Sequence, residues 1–133
     1  MKLPKRDGFT LIELLIAMII IGILASFGVA MLWKSKDRGY EASMRSDLRS
    51  LVNDQEVYFE RYHTYASNVS DLAPPTISAG VQLTITHATG TGWAATATHV
   101  SVDNRICGIR VGDAPLSAAT AAVELGYSQC TSE

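Results

Sequence analysis

The sequence predicts an α+β chain: a long N-terminal helix, apolar in its first half and amphipathic in its second, packed on a small antiparallel sheet of three or four strands. Three observations carry that prediction. Phe9–Trp33 is a 25-residue apolar run whose one charge is Glu13. Tyr40, Met44, Leu48, Leu51 and Val52 follow at spacings of 4, 4, 3 and 1, the stripe of a helix with one buried face, and no proline interrupts Phe9–Tyr62. Val81–Thr86 alternates apolar and polar residues strictly, the period of a half-buried strand.

Composition narrows the function classes. Of the 133 residues, 47% are hydrophobic and 18% charged, which excludes a disordered chain. Lys+Arg (11) trail Asp+Glu (13), which argues against a basic nucleic-acid binder. A membrane-spanning helix needs about 20 apolar residues. Phe9–Trp33 exceeds that and covers about 37 Å at 1.5 Å per residue. A secretory signal peptide has a shorter apolar core followed by a small-residue cleavage site. Here the small residue, Gly8, precedes the run, behind the basic leader residues Lys2, Lys5 and Arg6. Cleavage would therefore remove residues 1–8 and leave the apolar segment 9–33 in the mature chain. The far flank carries Lys34, Lys36 and Arg38, so the basic charges on the two sides draw. The initiator amine and the cysteine pair below tip the orientation toward a cytoplasmic N-terminus, with residues 34–133 as a head outside.

Glu13 is the informative residue. An acid inside an apolar helix costs about 2.5–3.5 kcal/mol on insertion scales, less near an end where it reaches the headgroups. One reading puts Glu13 in the first helical turn, where the helix dipole favours a carboxylate. The other gives it a cationic partner. Cleavage after Gly8 creates one on every copy, the new α-amine of Phe9. Within one helix the two groups are four residues apart. Between staggered helices they meet only at a fixed axial offset, which sets a register.

Gly8-Phe9-Thr10-Leu11-Ile12-Glu13-Leu14-Leu15-Ile16, followed by Ile21-Gly22-Ile23-Leu24-Ala25, closely resembles the class III signal of type IV pilins and type II secretion pseudopilins. The resemblance covers residues 1–33. It implies that a membrane aspartyl peptidase cuts after Gly8 and methylates the amine of Phe9, and that Glu13 is the assembly carboxylate. Methylation keeps the amine basic, so its attraction to Glu13 survives. The chain departs from the family at Ala30, where many members carry a proline and the helix loosens in assembled fibres. Gly22 and Gly28 are the candidates for that flexibility here, each costing about 1 kcal/mol of helix stability relative to alanine.

In the head, residues 34–62 continue the helix, and Pro74-Pro75 bars it from running further. Residues 63–80 read as a loop. Residues 81–111 read as a sheet, with strands at Val81–Thr86, Trp93–Val100 and Arg105–Val111 and turns at Gly90–Gly92 and Ser101–Asn104. Cys107 and Cys130 are an even count in an exported chain, which points to a bridge rather than two unlinked thiols. It would close a C-terminal loop over 107–130 and stabilise the head by about 3 kcal/mol. A C-terminal disulfide loop and an α+β head also resemble the pilins.

Catalytic motifs are missing. His63, His87 and His99 lack metal-ligand spacing, Asp103, Asp113 and Glu124 are scattered, and Gly90-Thr91-Gly92 is a turn rather than a phosphate cradle. The chain is read as a non-enzyme without metal or cofactor. The resemblance implies a structural subunit of a type IV pilus: a single-pass precursor in the bacterial inner membrane, then part of an extracellular fibre. Its expected partners are other copies of itself in a helical filament, the prepilin peptidase, the pilus assembly machinery and inner-membrane lipid; nucleic acid is the least favoured. A type II secretion pseudopilin or a minor pilin is the alternative, and a membrane-anchored binding module the remote one.

Overall fold

The computed structural model describes residues 8–118, 121 and 125–131. The leader through Asp7, with Lys2, Lys5 and Arg6, lies outside these residues, as does Glu124. The chain divides into two compact units between Lys36 and Asp37. Helix α1, Leu11–Tyr62, contributes to both.

In the first unit α1 starts two residues later than the predicted Phe9. Gly8, Phe9 and Thr10 are not helical, because Thr10 takes the capping position that ends the helix toward the N-terminus. From Leu11 to Gly28 the side chains are exposed, and this stretch is long and apolar enough to cross a membrane. Gly22 and Gly28 lie within it, with open space where a Cβ would stand.

In the second unit α1 buries Met44, Leu48 and Leu51 against Trp93, Ala95, Ala97, Cys107 and Ile109. The helix ends where His63 adopts the left-handed conformation (φ 56) and donates its N–H to Phe59 O at 2.8 Å, a C-terminal cap. Strands β1 (Val81–Ala88), β2 (Gly92–His99), β3 (Val102–Gly112) and β4 (Gln129–Cys130) form an antiparallel sheet in the order β1-β2-β3-β4. The predicted alternation holds in β1: Val81, Leu83 and Ile85 join the core, while Gln82, Thr84 and Thr86 face solvent. Along β2 the small side chains of Ala95 and Ala97 let the sheet sit close under the helix, and Trp93 fills the space at one end.

Two details differ from the sequence reading. The turn predicted over Ser101–Asn104 is shorter, because β3 already starts at Val102. Val102 pairs with His99 and Ile106 with Thr98, so residues 103–105 bulge from the ladder. Asn104 sits at φ 61, a conformation asparagine tolerates better than most residues. The fourth strand, β4, is only two residues long, too short for any periodicity to reveal.

Two buried polar residues of α1 hold the loop that follows it. Gln55 donates Nε2–H to Ala66 O at 3.0 Å and accepts Ala66 N–H on Oε1 at 2.9 Å. Asp47 accepts the Ser78 N–H at 2.9 Å and the Ser78 hydroxyl at 2.8 Å. Both lie on the buried stripe, Asp47 three residues after Met44 and Gln55 four after Leu51, so their side chains meet backbone rather than water. Gln55→Ala strands the buried backbone groups of Ala66. It is expected to cost about 2 kcal/mol, read as a lower denaturant midpoint of the detergent-solubilised chain. Val57→Ala, on the exposed face, is expected to stay within about 0.5 kcal/mol of the parent.

Candidate functional site

The residues singled out from the sequence fall in two places. Gly8, Phe9 and Glu13 stand at the start of α1, and Cys107 and Cys130 stand on β3 and β4.

At the helix start, Leu11 is the first helical residue, which makes Thr10 the cap and Glu13 the third residue inside. The Thr10 hydroxyl donates to Glu13 Oε2 at 2.7 Å, and the Thr10 N–H donates to the same oxygen at 3.0 Å. In return the Glu13 N–H donates to Thr10 Oγ1 at 3.4 Å, and Leu14 N–H donates to Thr10 O at 3.3 Å. This is a capping box, in which threonine and glutamate three residues apart satisfy each other's backbone. The carboxylate is thus turned back toward the N-terminus, on the side of the chain where Phe9 lies. Phe9 is 82% exposed, and nothing comes within 4 Å of a Cβ built on Gly8. Glu13 is therefore not a carboxylate waiting alone in an apolar run. Its first partner is Thr10, and the Thr-x-x-Glu spacing was the signal for it.

In the head, Cys107 and Cys130 are bonded and stand directly opposite each other in the β3–β4 ladder. The bond ties β4 to the sheet beside two backbone contacts, Thr131 N–H to Ile106 O and Gly126 N–H to Arg110 O. The charged neighbours of this corner come from α1 and β3. Glu41 bridges Arg45 and Arg105, and Arg45 Nε lies 3.3 Å from Cys130 Sγ. Nothing in the sequence marks Arg45 for that position, since 85 residues separate it from Cys130.

The histidines are dispersed. His63 caps α1 and His87 lies beside the β1 irregularity. His99 is buried, stacked on Tyr40 at 4.2 Å. It accepts the Ser101 N–H on Nδ1, which leaves Nε2 to donate to Ala79 O at 3.2 Å. That pattern closes the β2–β3 turn. Among the described residues, no group of three or more His, Cys, Asp or Glu could hold a metal ion.

The prokaryotic N-terminal methylation motif matches residues 3–29, which include Gly8, Phe9 and Glu13. The type IV major pilin PilA of Myxococcus xanthus is 35% identical over 69 residues, 50% of this chain and 31% of that protein. Type II secretion system core protein G of Vibrio cholerae is 30% identical over 88 residues, 66% of this chain and 54% of that protein. The type IV wide pilus major component PilA4 of Thermus thermophilus is 35% identical over 85 residues, 64% of this chain and 62% of that protein. The chain spans less than two thirds of the length of each of these relatives.

Thr10→Val keeps the shape of the cap and deletes its hydroxyl. The loss of about 1 kcal/mol should speed amide hydrogen exchange at Glu13 and Leu14 about fivefold, with Ile23 unchanged, in micelle-bound protein.

Proposed function

We propose that this chain, which carries the N-terminal methylation motif and is similar to type IV pilins and to type II secretion core protein G, is the structural subunit of a type IV pilus, cut after Gly8, N-methylated at Phe9 and polymerised through α1. One observation carries this reading: a carboxylate is held at the head of a helix whose apolar side chains the chain itself leaves exposed. In lipid such helices gain no hydrophobic energy by meeting, since lipid tails are as apolar as leucine. Packing and polar partners then decide the contact. After cleavage every copy presents the Phe9 amine as a cation. Glu13 has capacity for two tasks, because Oε2 takes both Thr10 bonds and a carboxylate offers about four lone-pair sites.

Pairing Glu13 with a neighbour's Phe9 amine offsets the cost of burying either charge alone and fixes the axial offset of the two helices. The contact is heterologous and does not close, so it propagates into a helical filament of identical copies. Gly22 and Gly28 supply the points at which α1 loosens as subunits pack. Before assembly the precursor is held in inner-membrane lipid by the apolar segment with its N-terminus in the cytoplasm, within reach of the prepilin peptidase and the assembly machinery. After assembly it belongs to a surface fibre.

A second reading, a pseudopilin of type II secretion, is favoured by the long match to a core protein G. The Cys107–Cys130 bond, which pins the C-terminal strand as in the pilin reading of the sequence, favours the pilus. Deleting the protein separates the two. Loss of sheared surface fibres identifies a pilus subunit, and loss of protein export with fibres intact identifies a pseudopilin.

Glu13→Ala is expected to leave cleavage intact and to reduce fibre yield more than about tenfold in sheared fractions. Wild-type fibre yield would sink the pairing mechanism. Gly8→Val is expected to leave the leader attached, seen as a heavier precursor by intact-mass measurement, with no methylated Phe9 terminus.

A further inference from the structure

The two sulfurs of the Cys107–Cys130 bond have unequal surroundings. Cys107 is fully buried in the apolar core with Trp93, Ala95 and Ile109. Cys130 is half-buried on β4, the outermost strand of the sheet, and Arg45 Nε points at its sulfur from 3.3 Å. We infer that Cys130 is the entry thiol through which the bond is made, with Arg45 as the residue that positions and stabilises its thiolate for attack on a disulfide oxidoreductase.

The chemistry follows from the placement. A thiolate, not a thiol, attacks a disulfide, and a neighbouring guanidinium favours the thiolate while an apolar core disfavours it. Neutral sulfur accepts the Arg45 N–H weakly, whereas a thiolate in the same place accepts a charge-assisted bond. Glu41 also holds Arg45, but it is shared with Arg105, so it neutralises Arg45 only in part. The Arg45 side chain is 43% exposed, and water therefore screens some of the attraction. The effect is a preference between two thiols, not an absolute choice.

In the exchange, the Cys130 thiol loses its proton to solvent and its thiolate attacks one sulfur of the oxidant's disulfide. A Cys130–oxidant bond forms and the oxidant's other sulfur leaves as a thiolate. The Cys107 thiol then loses its proton and attacks Cys130 Sγ, forming Cys107–Cys130 and releasing the oxidant's second thiolate. Two electrons pass from the two cysteines to the oxidant, which leaves as a dithiol once its sulfurs are protonated. Contacts other than the disulfide also bring the two cysteines together. Thr131 N–H bonds Ile106 O at 2.9 Å and Ile106 N–H bonds the Thr131 hydroxyl Oγ1 at 3.2 Å, so one backbone and one side-chain hydrogen bond join the segment at β4 to β3 beside the cysteines.

The test uses the full chain in detergent, reduced with dithiothreitol, freed of reductant and exposed to limiting iodoacetamide, with each cysteine followed by peptide mass spectrometry. Cys130 is expected to be labelled about tenfold faster than Cys107. Arg45→Met should move the pH at half-maximal Cys130 labelling upward, and Arg45→Lys should recover part of that shift, which a purely packing role would not do. With oxidised glutathione as the probe, Cys107→Ser should accumulate the mixed disulfide at Cys130, and Cys130→Ser should accumulate about tenfold less at Cys107. Equal labelling of the two cysteines, including that of a head opened by reduction, overturns the inference. So does faster labelling of Cys107, or an Arg45→Met profile that does not move.

Discussion

The first turn of any α-helix leaves amide groups without partners inside the helix, and α1 begins within an apolar run long enough to cross a membrane, where water would be scarce. Thr10 and Glu13 resolve that problem between them. The hydroxyl and the carboxylate close a reciprocal cap, and the helix starts at Leu11 because of it. The same cap leaves Gly8 and Phe9 outside the helix and exposed. An acid that is costly on insertion therefore has a local purpose before any neighbour arrives. Its position at the helix mouth is also what would let it meet a terminal amine.

The second unit applies related physics where protein excludes the water. Its helix stripe is not purely apolar: Asp47 and Gln55 interrupt it, and each spends its polar atoms on the backbone of the following loop. That arrangement converts the loop 63–80, with its Ser residues and the Pro74-Pro75 pair, into a wall of the core, with Ala66 and Leu72 buried in it. At the opposite edge of the sheet, β4 is too short to hold by pairing alone. A disulfide, two nearby backbone bonds and a charged corner of Glu41, Arg45 and Arg105 keep it in place.

Much of this was legible in the residues themselves. Period 3.6 over Tyr40–Val52, period 2 over Val81–Thr86 and an uninterrupted apolar run each reflect local geometry, so they place α1 and β1 without any tertiary information. The methylation motif is local too, which is why Gly8, Phe9 and Glu13 stand out together. The misreadings have equally physical causes. Ser101–Asn104 reads as a turn because its residues suit one, but pairing of Val102 with His99 extends the ladder through it and ejects residues 103–105 as a bulge. Nothing local marks Gln55 and Asp47 as the residues that hold the loop, since their partners lie 11 and 31 residues away.

By itself the sequence determined the apolar segment, the N-terminal methylation motif, the helix stripe and the presence of two cysteines, because each is a property of neighbouring residues along one chain. Only the tertiary structure decided which sulfur faces Arg45, which polar side chains meet the buried loop and where the last strand docks. Those are contacts between segments far apart in the chain, selected by burial and hydrogen-bond geometry, for which periodicity carries no signal.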